Sequence, residues 1–229
     1  IGSPGTARKA ITVAASTKQD DVAIFSSAGP VIGSNFGFVK PDVTAPGVDI
    51  CAAQFDDRWN DRLCLDDQHI AISGTSMAAP HVAGAVALLK QKNRNWNPEQ
   101  IKMALKNTTV DLQEIPFIQG SGRINALAAF LSAQPPIAAL NTGGETFGVV
   151  SIEGTATAPG PLLYSLYYSQ GILSDPLQGT LLFQSNSPVE NGVLFSSFDL
   201  RSLRDGFYVV QLKVQDTHSG ITSNAFSIL

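Results

Sequence analysis

The chain contains 229 residues, of which 44% are hydrophobic and 15% are charged, and its formal net charge is −4. This length is sufficient for two domains with ordinary cores. Because the chain is slightly acidic and has no basic cluster, nucleic acid is not an expected partner. No apolar run approaches the roughly 20 residues that a membrane-spanning helix needs, so no membrane span is expected.

Two short buried strands are the first elements that the sequence predicts, at residues 10–15 and 43–52, with glycine and proline near their ends. Helical spacing then begins at Ser76 and continues to about Lys92. Small residues fill the first turns of this helix, which predicts close packing on every side in the middle of a domain. On that expectation, Ala83→Leu would overpack the core by about 1–3 kcal/mol.

Two further helices are predicted before the sequence changes character. Asn97 and Gln100 have the spacing of a capping box, and Pro98 suits a first helical position. One apolar face follows, made by Ile101, Ala104 and Leu105. The third helix, over about residues 125–131, is nearly all apolar and is expected to end the domain.

Residues 74–84, which read GTSMAAPHVAG, carry the main chemical signal of the chain. A helix start offers unpaired backbone N–H groups and the positive end of the helix dipole, both of which stabilise an oxyanion. A nucleophilic serine needs this environment, because its attack on a carbonyl creates an oxyanion. The alternative is that Ser76 serves only as an N-cap of a buried helix.

The whole string resembles the serine motif of the subtilisin family of serine endopeptidases. Four flanking segments are similar to the family in the same order along the chain, from Gly2 to about Ala129. They read ITVAA at 11–15, SSAGP at 26–30, KPDVTAPG at 40–47 and GSGRINA at 120–126. The resemblance implies an α/β fold over residues 1–134, the carboxy-terminal part of a parallel-sheet catalytic domain with flanking helices.

The resemblance also implies roles for individual residues. Ser76 would be the nucleophile, and its backbone N–H would form one arm of the oxyanion hole. Thr75 and Gly74 would shape the loop that presents the serine. Substrate binding is expected from four consecutive residues of a loop: Gly2, Ser3, Pro4 and Gly5.

The family's catalytic aspartate, histidine and oxyanion asparagine have no counterpart in the motifs of this chain. His81 lies five residues after Ser76, about 140° around a helix, and His69 and His218 lie in other segments. None is expected to be the base, which must sit within about 3 Å of the proton it takes. The N-terminal part of the same protease domain is therefore the expected partner, in the same or a second polypeptide, and the chain alone is expected to be inactive.

Cys51 and Cys64 are candidates for a disulfide, since subtilisin-like enzymes are mostly exported; the alternative is two buried thiols. The loop between and after them is acidic, so a structural calcium ion is possible. A solvated insertion is the favoured explanation, because the spacing fits no calcium motif and Arg58 and Arg62 offset part of the charge. By resemblance, a weak cation could also bind the backbone carbonyls of Gly5, Ala7 and Ala10. No cofactor is required by the expected chemistry.

Beyond Gln134, Pro135 and Pro136, helical spacing gives way to strands with alternating apolar residues, such as residues 164–168 and 208–214. Turn signals include PGP at 159–161 and Asn191-Gly192. Residues 135–229 are therefore predicted to form an all-β antiparallel sandwich, similar to immunoglobulin-like modules of bacterial exoproteins.

Two functions follow as hypotheses. In the first, the chain is part of a secreted or cell-surface serine endopeptidase that acts on protein or peptide substrates. In the second, it is a catalytically dead, protease-derived scaffold whose sandwich binds a protein, a glycan or the cell surface. The intact GTSMA string favours the first, because a dead site has no chemical need for its serine.

Overall fold

The computed structural model describes residues 1–33, 36–55, 62–171 and 179–229. They form two compact units that are not continuous in sequence. Unit 1 consists of Ile1–Gly29, Lys40–Arg94 and Thr108–Phe130, and unit 2 consists of Pro30–Val39, Asn95–Asn107 and Leu131–Leu229. Two segments that lie before the predicted boundary at residue 134 therefore belong to unit 2.

The described elements run as six strands, then four helices, then seven further strands with a short 3₁₀ helix at residues 200–202. In chain order they are β1 (Val13–Ser16), β2 (Val31–Gly33), β3 (Phe36–Phe38), β4 (Val43–Pro46), β5 (Ile50–Ala53), β6 (His69–Ile72), α1 (Thr75–Lys92), α2 (Pro98–Asn107), α3 (Pro116–Gln119), α4 (Ala126–Leu131), β7 (Ile137–Leu140), β8 (Val149–Thr157), β9 (Leu162–Gln170), β10 (Thr180–Ser185), β11 (Val189–Asp199), β12 (Tyr208–Asp216) and β13 (Thr222–Ile228). No helix in the described ranges has the length and apolar character needed to cross a bilayer.

The centre of unit 1 is a parallel pair of strands covered by a helix. β1 runs parallel to β4, with Val13 opposite Val43 and Ala15 opposite Ala45. α1 packs on this pair, and its buried residues are Ala78, Val82, Ala85 and Leu89. Small side chains on both layers allow the helix to lie close to the strands, which fixes the position of its first turn.

The predicted strand over residues 43–52 is wrong in its length and in its burial. The structure divides it into β4 and β5, separated by a turn in which Asp49 has a φ of 51°. The break lies at Gly47, where a side chain has no room: a Cβ there would lie 2.7 Å from the Ala15 Cβ and 2.8 Å from the Gly74 carbonyl oxygen. β5 then pairs antiparallel with β6 and is mostly exposed.

The predicted burial of α1 on every side is also wrong. Only the face that packs on β1 and β4 is buried, and the opposite face is exposed along its length. A Cβ added at Gly84 would meet no atom within 4 Å. The exposed small and apolar residues of this face, which we call the open face of α1, are Ala79, Ala83, Gly84, Ala87 and Leu88.

Unit 2 is built from two antiparallel sheets. One contains β10, β9, β12, β13, β3 and β2 in that order, and the other contains β11, β8 and β7. Both contribute to one apolar core, which includes Leu140 and Ile152 from the smaller sheet and Leu166 and Leu212 from the larger. The sandwich is thus present, and its likeness to immunoglobulin-like modules stays a prediction.

A hairpin from the first half of the chain extends the larger sheet. β2 pairs with β3, and β3 pairs with β13 through Ser227 opposite Phe38. The Ser227 hydroxyl donates a 2.6 Å hydrogen bond to the carbonyl of Gly37. A Cβ on Gly37 would lie 2.4 Å from the Ile228 carbonyl oxygen, so glycine is required for this close approach.

The predicted turn at Asn191-Gly192 is a third wrong prediction. These residues lie inside β11, where the register shifts between Val189 and Gly192 as the strand pairs with β8. Asn191 has a φ of 46°, which accommodates this bulge rather than a chain reversal. A two-residue hairpin turn and a bulge both favour residues that adopt a positive φ. Only the pairing of β11 with β8 shows that these residues form a bulge.

Candidate active site

Ser76 lies in the first turn of α1, where its side chain is exposed. Gly74, the residue before the helix, is held by a 2.7 Å hydrogen bond from its N–H to the carbonyl of Gly47. The same Gly47 packs against β1, as described above. The serine is therefore presented by a helix start that is fixed to the loop after β4.

The first turn of α1 leaves two backbone donors available next to the serine. The N–H groups of Met77 and Ala78 both donate to the carbonyl of Gly74. Those of Thr75 and Ser76 form no hydrogen bond within the described residues. Together with the positive end of the helix dipole, these two N–H groups can stabilise an oxyanion that forms beside the Ser76 hydroxyl.

An apolar pocket of about 360 Å³ opens beside Ser76. The β5–β6 hairpin forms one wall and the first turns of α1 form the other. Its lining residues are Ile50, Ala52, Ala53, Ile70, Ile72, Ser76, Met77, Pro80 and His81. An apolar pocket next to a hydroxyl and two N–H donors suits an apolar side chain of a bound peptide.

Each of the three histidines makes a local contact of its own. His81 lines the pocket, but its Nδ1 lies 2.9 Å from the carbonyl of Met77 and so must carry the proton. The Nδ1 of His69 lies 2.6 Å from the Oδ1 of Asp66, and this hydrogen bond lowers the pKa of that carboxyl. His218 lies in the β12–β13 turn of unit 2.

The predicted substrate loop forms a turn at the start of unit 1 and does not line the pocket. Ser3 to Thr6 are in turn conformation, and the N–H of Ala7 donates to the carbonyl of Pro4. Gly2 has no atom within 4 Å of the place of a Cβ, whereas a Cβ on Gly5 would lie 2.9 Å from Ile1. The role of this loop in substrate binding stays a prediction.

Two of the three carbonyls predicted for a weak cation, those of Gly5 and Ala10, already accept hydrogen bonds from the chain. The Thr12 hydroxyl donates to the carbonyl of Gly5 at 2.6 Å, and the Lys40 ammonium donates to the carbonyl of Ala10 at 2.8 Å. A cation at this loop would compete with both donors and lie beside a positive charge. These residues therefore do not fit a bound metal ion.

Cys51 and Cys64 are joined by a disulfide, with their Cα atoms 6.0 Å apart. The bond links β5 to the segment before β6, and so closes the hairpin that forms one wall of the pocket. Of the acidic loop residues proposed for calcium, Asp56, Asp57 and Asp61 lie outside the described residues. Elsewhere in the described ranges, no group of three or more His, Cys, Asp and Glu side chains could hold a metal ion.

The sequence profile of the Subtilase family matches residues 1–122, more than half of the chain. The chain belongs to the subtilase family. Among curated subtilases, serine protease AprX of Bacillus subtilis (strain 168) is 41% identical over 138 residues, which cover 55% of this chain and 30% of AprX. The minor extracellular protease Vpr of the same organism is 42% identical over 99 residues, which cover 42% of this chain and 11% of Vpr.

The aligned region spans less than a third of either relative. A solved structure of fervidolysin from Fervidobacterium pennivorans, described as a keratinolytic enzyme related to subtilisin, aligns with a TM-score of 0.48 and 18% identity. It covers 99% of this chain and 50% of that chain. A likeness of this size supports no functional argument.

Sequence reasoning missed one feature of this subtilase near the substrate loop. Lys40 and Asp42 form a buried ion pair, with the ammonium 2.6 Å from the Asp42 carboxylate. Two residues of opposite charge at i and i+2 give no signal in a segment of irregular structure.

Proposed function

We propose that this subtilase chain carries the nucleophile of a serine endopeptidase, and that the nucleophile is Ser76. The observation that supports this most is the coincidence of three features in the first turn of α1. They are an exposed serine hydroxyl, the N–H groups of Thr75 and Ser76, and an apolar pocket lined by the same turn.

The proposed reaction proceeds through an acyl-enzyme. The Ser76 Oγ attacks the carbonyl carbon of a peptide bond while its proton passes to a general base, and the resulting oxyanion is stabilised by the backbone N–H of Ser76. The C–N bond then breaks as the proton passes to the leaving amine. Water attacks the ester by the reverse proton path, which releases the acid and restores the hydroxyl.

The base, its orienting aspartate and a further oxyanion donor would come from the N-terminal part of the protease domain. His69 and His81 are the histidines of unit 1 in the described residues, and each already holds a local hydrogen bond. The open face of α1 supports the same partner. It presents small and apolar side chains over about two and a half turns, which suit close packing against another layer of the domain.

The substrate is proposed to be a protein or peptide, with an apolar residue seated in the pocket. Export from the cell is proposed from the disulfide of Cys51 and Cys64 and from the relative Vpr, whose name describes it as extracellular. Disulfides persist in oxidising compartments and are rare in the cytosol. The substrate sequence that would be preferred follows from residues outside this chain as well as from the pocket.

Hydrolysis of casein tests the proposal directly. The chain should be inactive alone and should become active when it is produced together with an N-terminal protease part that supplies a histidine and an aspartate. Ser76→Ala should then lower the turnover by about 10⁶-fold, the loss that removal of the catalytic serine causes in subtilisin. Ser187→Ala, which changes an exposed serine of unit 2, is the matched control and should retain full activity.

Equal hydrolysis by the Ser76→Ala variant and the unchanged protein would contradict the proposal. Activity of the unchanged chain alone, abolished by Ser76→Ala, would keep Ser76 as the nucleophile. It would contradict the assignment of the base to another part of the protein.

A further inference from the structure

We infer that the ammonium group of Lys40 replaces a bound cation beside the loop over residues 5–10, so that this subtilase holds the loop in place without a metal ion. The inference concerns the folded loop and does not depend on the proposed catalytic role of Ser76. It rests on the contacts of one buried lysine and on the acceptors that surround it.

The Lys40 side chain is enclosed, with 1% of its surface exposed, and Asp42 is 6% exposed. A charge in this position is stable only if it is paired and hydrogen-bonded. The ammonium lies 2.6 Å from the Asp42 Oδ2 and 2.8 Å from the carbonyl oxygen of Ala10. Its partners thus include one carboxylate and one backbone carbonyl, which are the oxygen ligands that hard cations prefer.

The surrounding groups complete a network that connects the loop to the start of β4. The Asp42 Oδ2 also accepts a 2.8 Å hydrogen bond from the N–H of Thr12, and the Thr12 hydroxyl donates to the carbonyl of Gly5. The Lys40 ammonium therefore compensates the Asp42 carboxylate and holds the Ala10 end of the loop, while Thr12, bonded to the same carboxylate, holds the Gly5 end. A cation bound to the same oxygen atoms would also compensate the carboxylate and hold the loop.

A second cation is disfavoured at this place for two reasons. It would displace donors that already satisfy the carbonyls of Gly5 and Ala10, and it would lie beside the fixed charge of Lys40. The loop itself carries two more basic residues, Arg8 and Lys9. Removal of the ammonium reverses this situation, because the Asp42 carboxylate and the Ala10 carbonyl each lose a positively charged donor that a cation could replace.

The test measures unfolding of the 229-residue chain by urea, which adds no cation of its own, in salts of K⁺, NH₄⁺ and Ca²⁺. Tetramethylammonium, which is too large for the space of a lysine ammonium, keeps the ionic strength constant. The unchanged chain should show the same unfolding midpoint in every salt. Lys40→Ala should have a lower unfolding midpoint in tetramethylammonium and should recover part of the loss in K⁺ or NH₄⁺. At an ion concentration of 100 times its Kd, the unfolding equilibrium constant of the variant should fall by about 100-fold.

Lys18→Ala is the matched control, since it removes one exposed lysine of the same unit and should acquire no salt response. Two results would overturn the inference. Saturable stabilisation by K⁺ or Ca²⁺ that is equal in the unchanged chain and in Lys40→Ala would show that the ion binds at a place which Lys40 does not occupy. A Lys40→Ala variant that is destabilised but recovers in none of the salts would show an ordinary ion pair.

If Lys40→Ala does not fold in any salt, Lys40→Gln provides the second variant, because its amide can still donate to the Ala10 carbonyl without the charge. Equilibrium dialysis of the unchanged chain against labelled Ca²⁺ and Rb⁺ gives an independent measurement. At millimolar ion, the folded Lys40 variant should bind more ion than the unchanged chain, by up to one equivalent, and equal binding by the two proteins contradicts the inference.

Discussion

Single polar side chains fix the turns of unit 2, and Asp216 does so at the end of β12. Its Oδ1 accepts the N–H groups of His218 and Ser219 at 2.9 and 3.0 Å, and its Oδ2 accepts that of Gly160 at 3.1 Å. The carboxylate thus holds two turns together. The N–H of Ser219 contributes most to lowering the pKa of Asp216, although burial acts in the opposite direction.

Asp216→Asn is expected to lower the unfolding midpoint at neutral pH, because the amide has one acceptor oxygen in place of two. A folded pKa below the unfolded value of about 3.9 means that the carboxylate stabilises the protein above that pH. This contribution is lost as the pH falls through the folded pKa. The midpoints of the two proteins should therefore converge as the pH falls through the folded pKa.

The measurement is urea unfolding of both proteins between pH 2 and pH 7. Asp205→Asn, at an exposed position in the same unit, is the control for a change of net charge. A difference between Asp216→Asn and the unchanged chain that stays constant over this whole range would contradict the assigned role.

Ser76 could be predicted from the sequence, whereas the ion pair of Lys40 and Asp42 could not. The serine lies in a string whose every residue has a local reason: small residues for packing, a proline tolerated in the first turn, and a glycine before the helix. The ion pair depends on Ala10 and Thr12, about 30 residues away. Contacts of that separation leave no local pattern.

At the scale of elements, local signals were reliable where the partners were near in sequence. The capping box before α2 is confirmed in full: Asn97 Oδ1 accepts the N–H of Gln100, and Gln100 Oε1 accepts the N–H of Asn97, both at 2.8 Å. The apolar face of α2 is buried as predicted. The β2–β3 hairpin was not predicted, because its place in the sheet is set by β13, about 190 residues later.

The disulfide at the β5–β6 hairpin makes a contribution to stability that can be measured by removing it. The bond closes a separation of 13 residues, which corresponds to about 3 kcal/mol in the chain-entropy account. Replacing Cys51 and Cys64 together by alanine should lower the free energy of unfolding by about this amount. Because the hairpin is one wall of the pocket, the pocket should also become less ordered.

Urea unfolding with and without dithiothreitol checks this prediction. The reductant should bring the unchanged chain to the midpoint of the double variant and should leave the double variant where it is. Equal midpoints of the unchanged chain and the double variant under oxidising conditions would contradict it.

At the scale of the whole molecule, the two faces of α1 differ sharply. The face with Ala78 is enclosed, since Ala78 is fully buried and packs beside Gly47, while the open face with Ala83 meets no other layer in the described residues. The sequence predicted burial on both faces because small residues occur all around the helix. The sequence of a helix does not by itself show which of its faces another element covers.

A matched pair of substitutions measures this difference. Ala78→Leu should cost about 1–3 kcal/mol of folding free energy by overpacking, and Ala83→Leu should change it by less than about 0.5 kcal/mol in this chain. In a protein that also carries the proposed N-terminal protease part, Ala83→Leu should become destabilising as well. Equal costs of the two substitutions in the present chain would contradict the observed burial.

Ser76 is proposed to be a nucleophile whose general base is supplied by another part of the protease domain. The most direct measurement is labelling with a fluorophosphonate, followed by mass spectrometry of the modified peptide. We expect no adduct on the chain alone and one adduct, on Ser76, when the N-terminal part with its histidine is present. An adduct on another serine, or none in the assembled protein, would contradict the account.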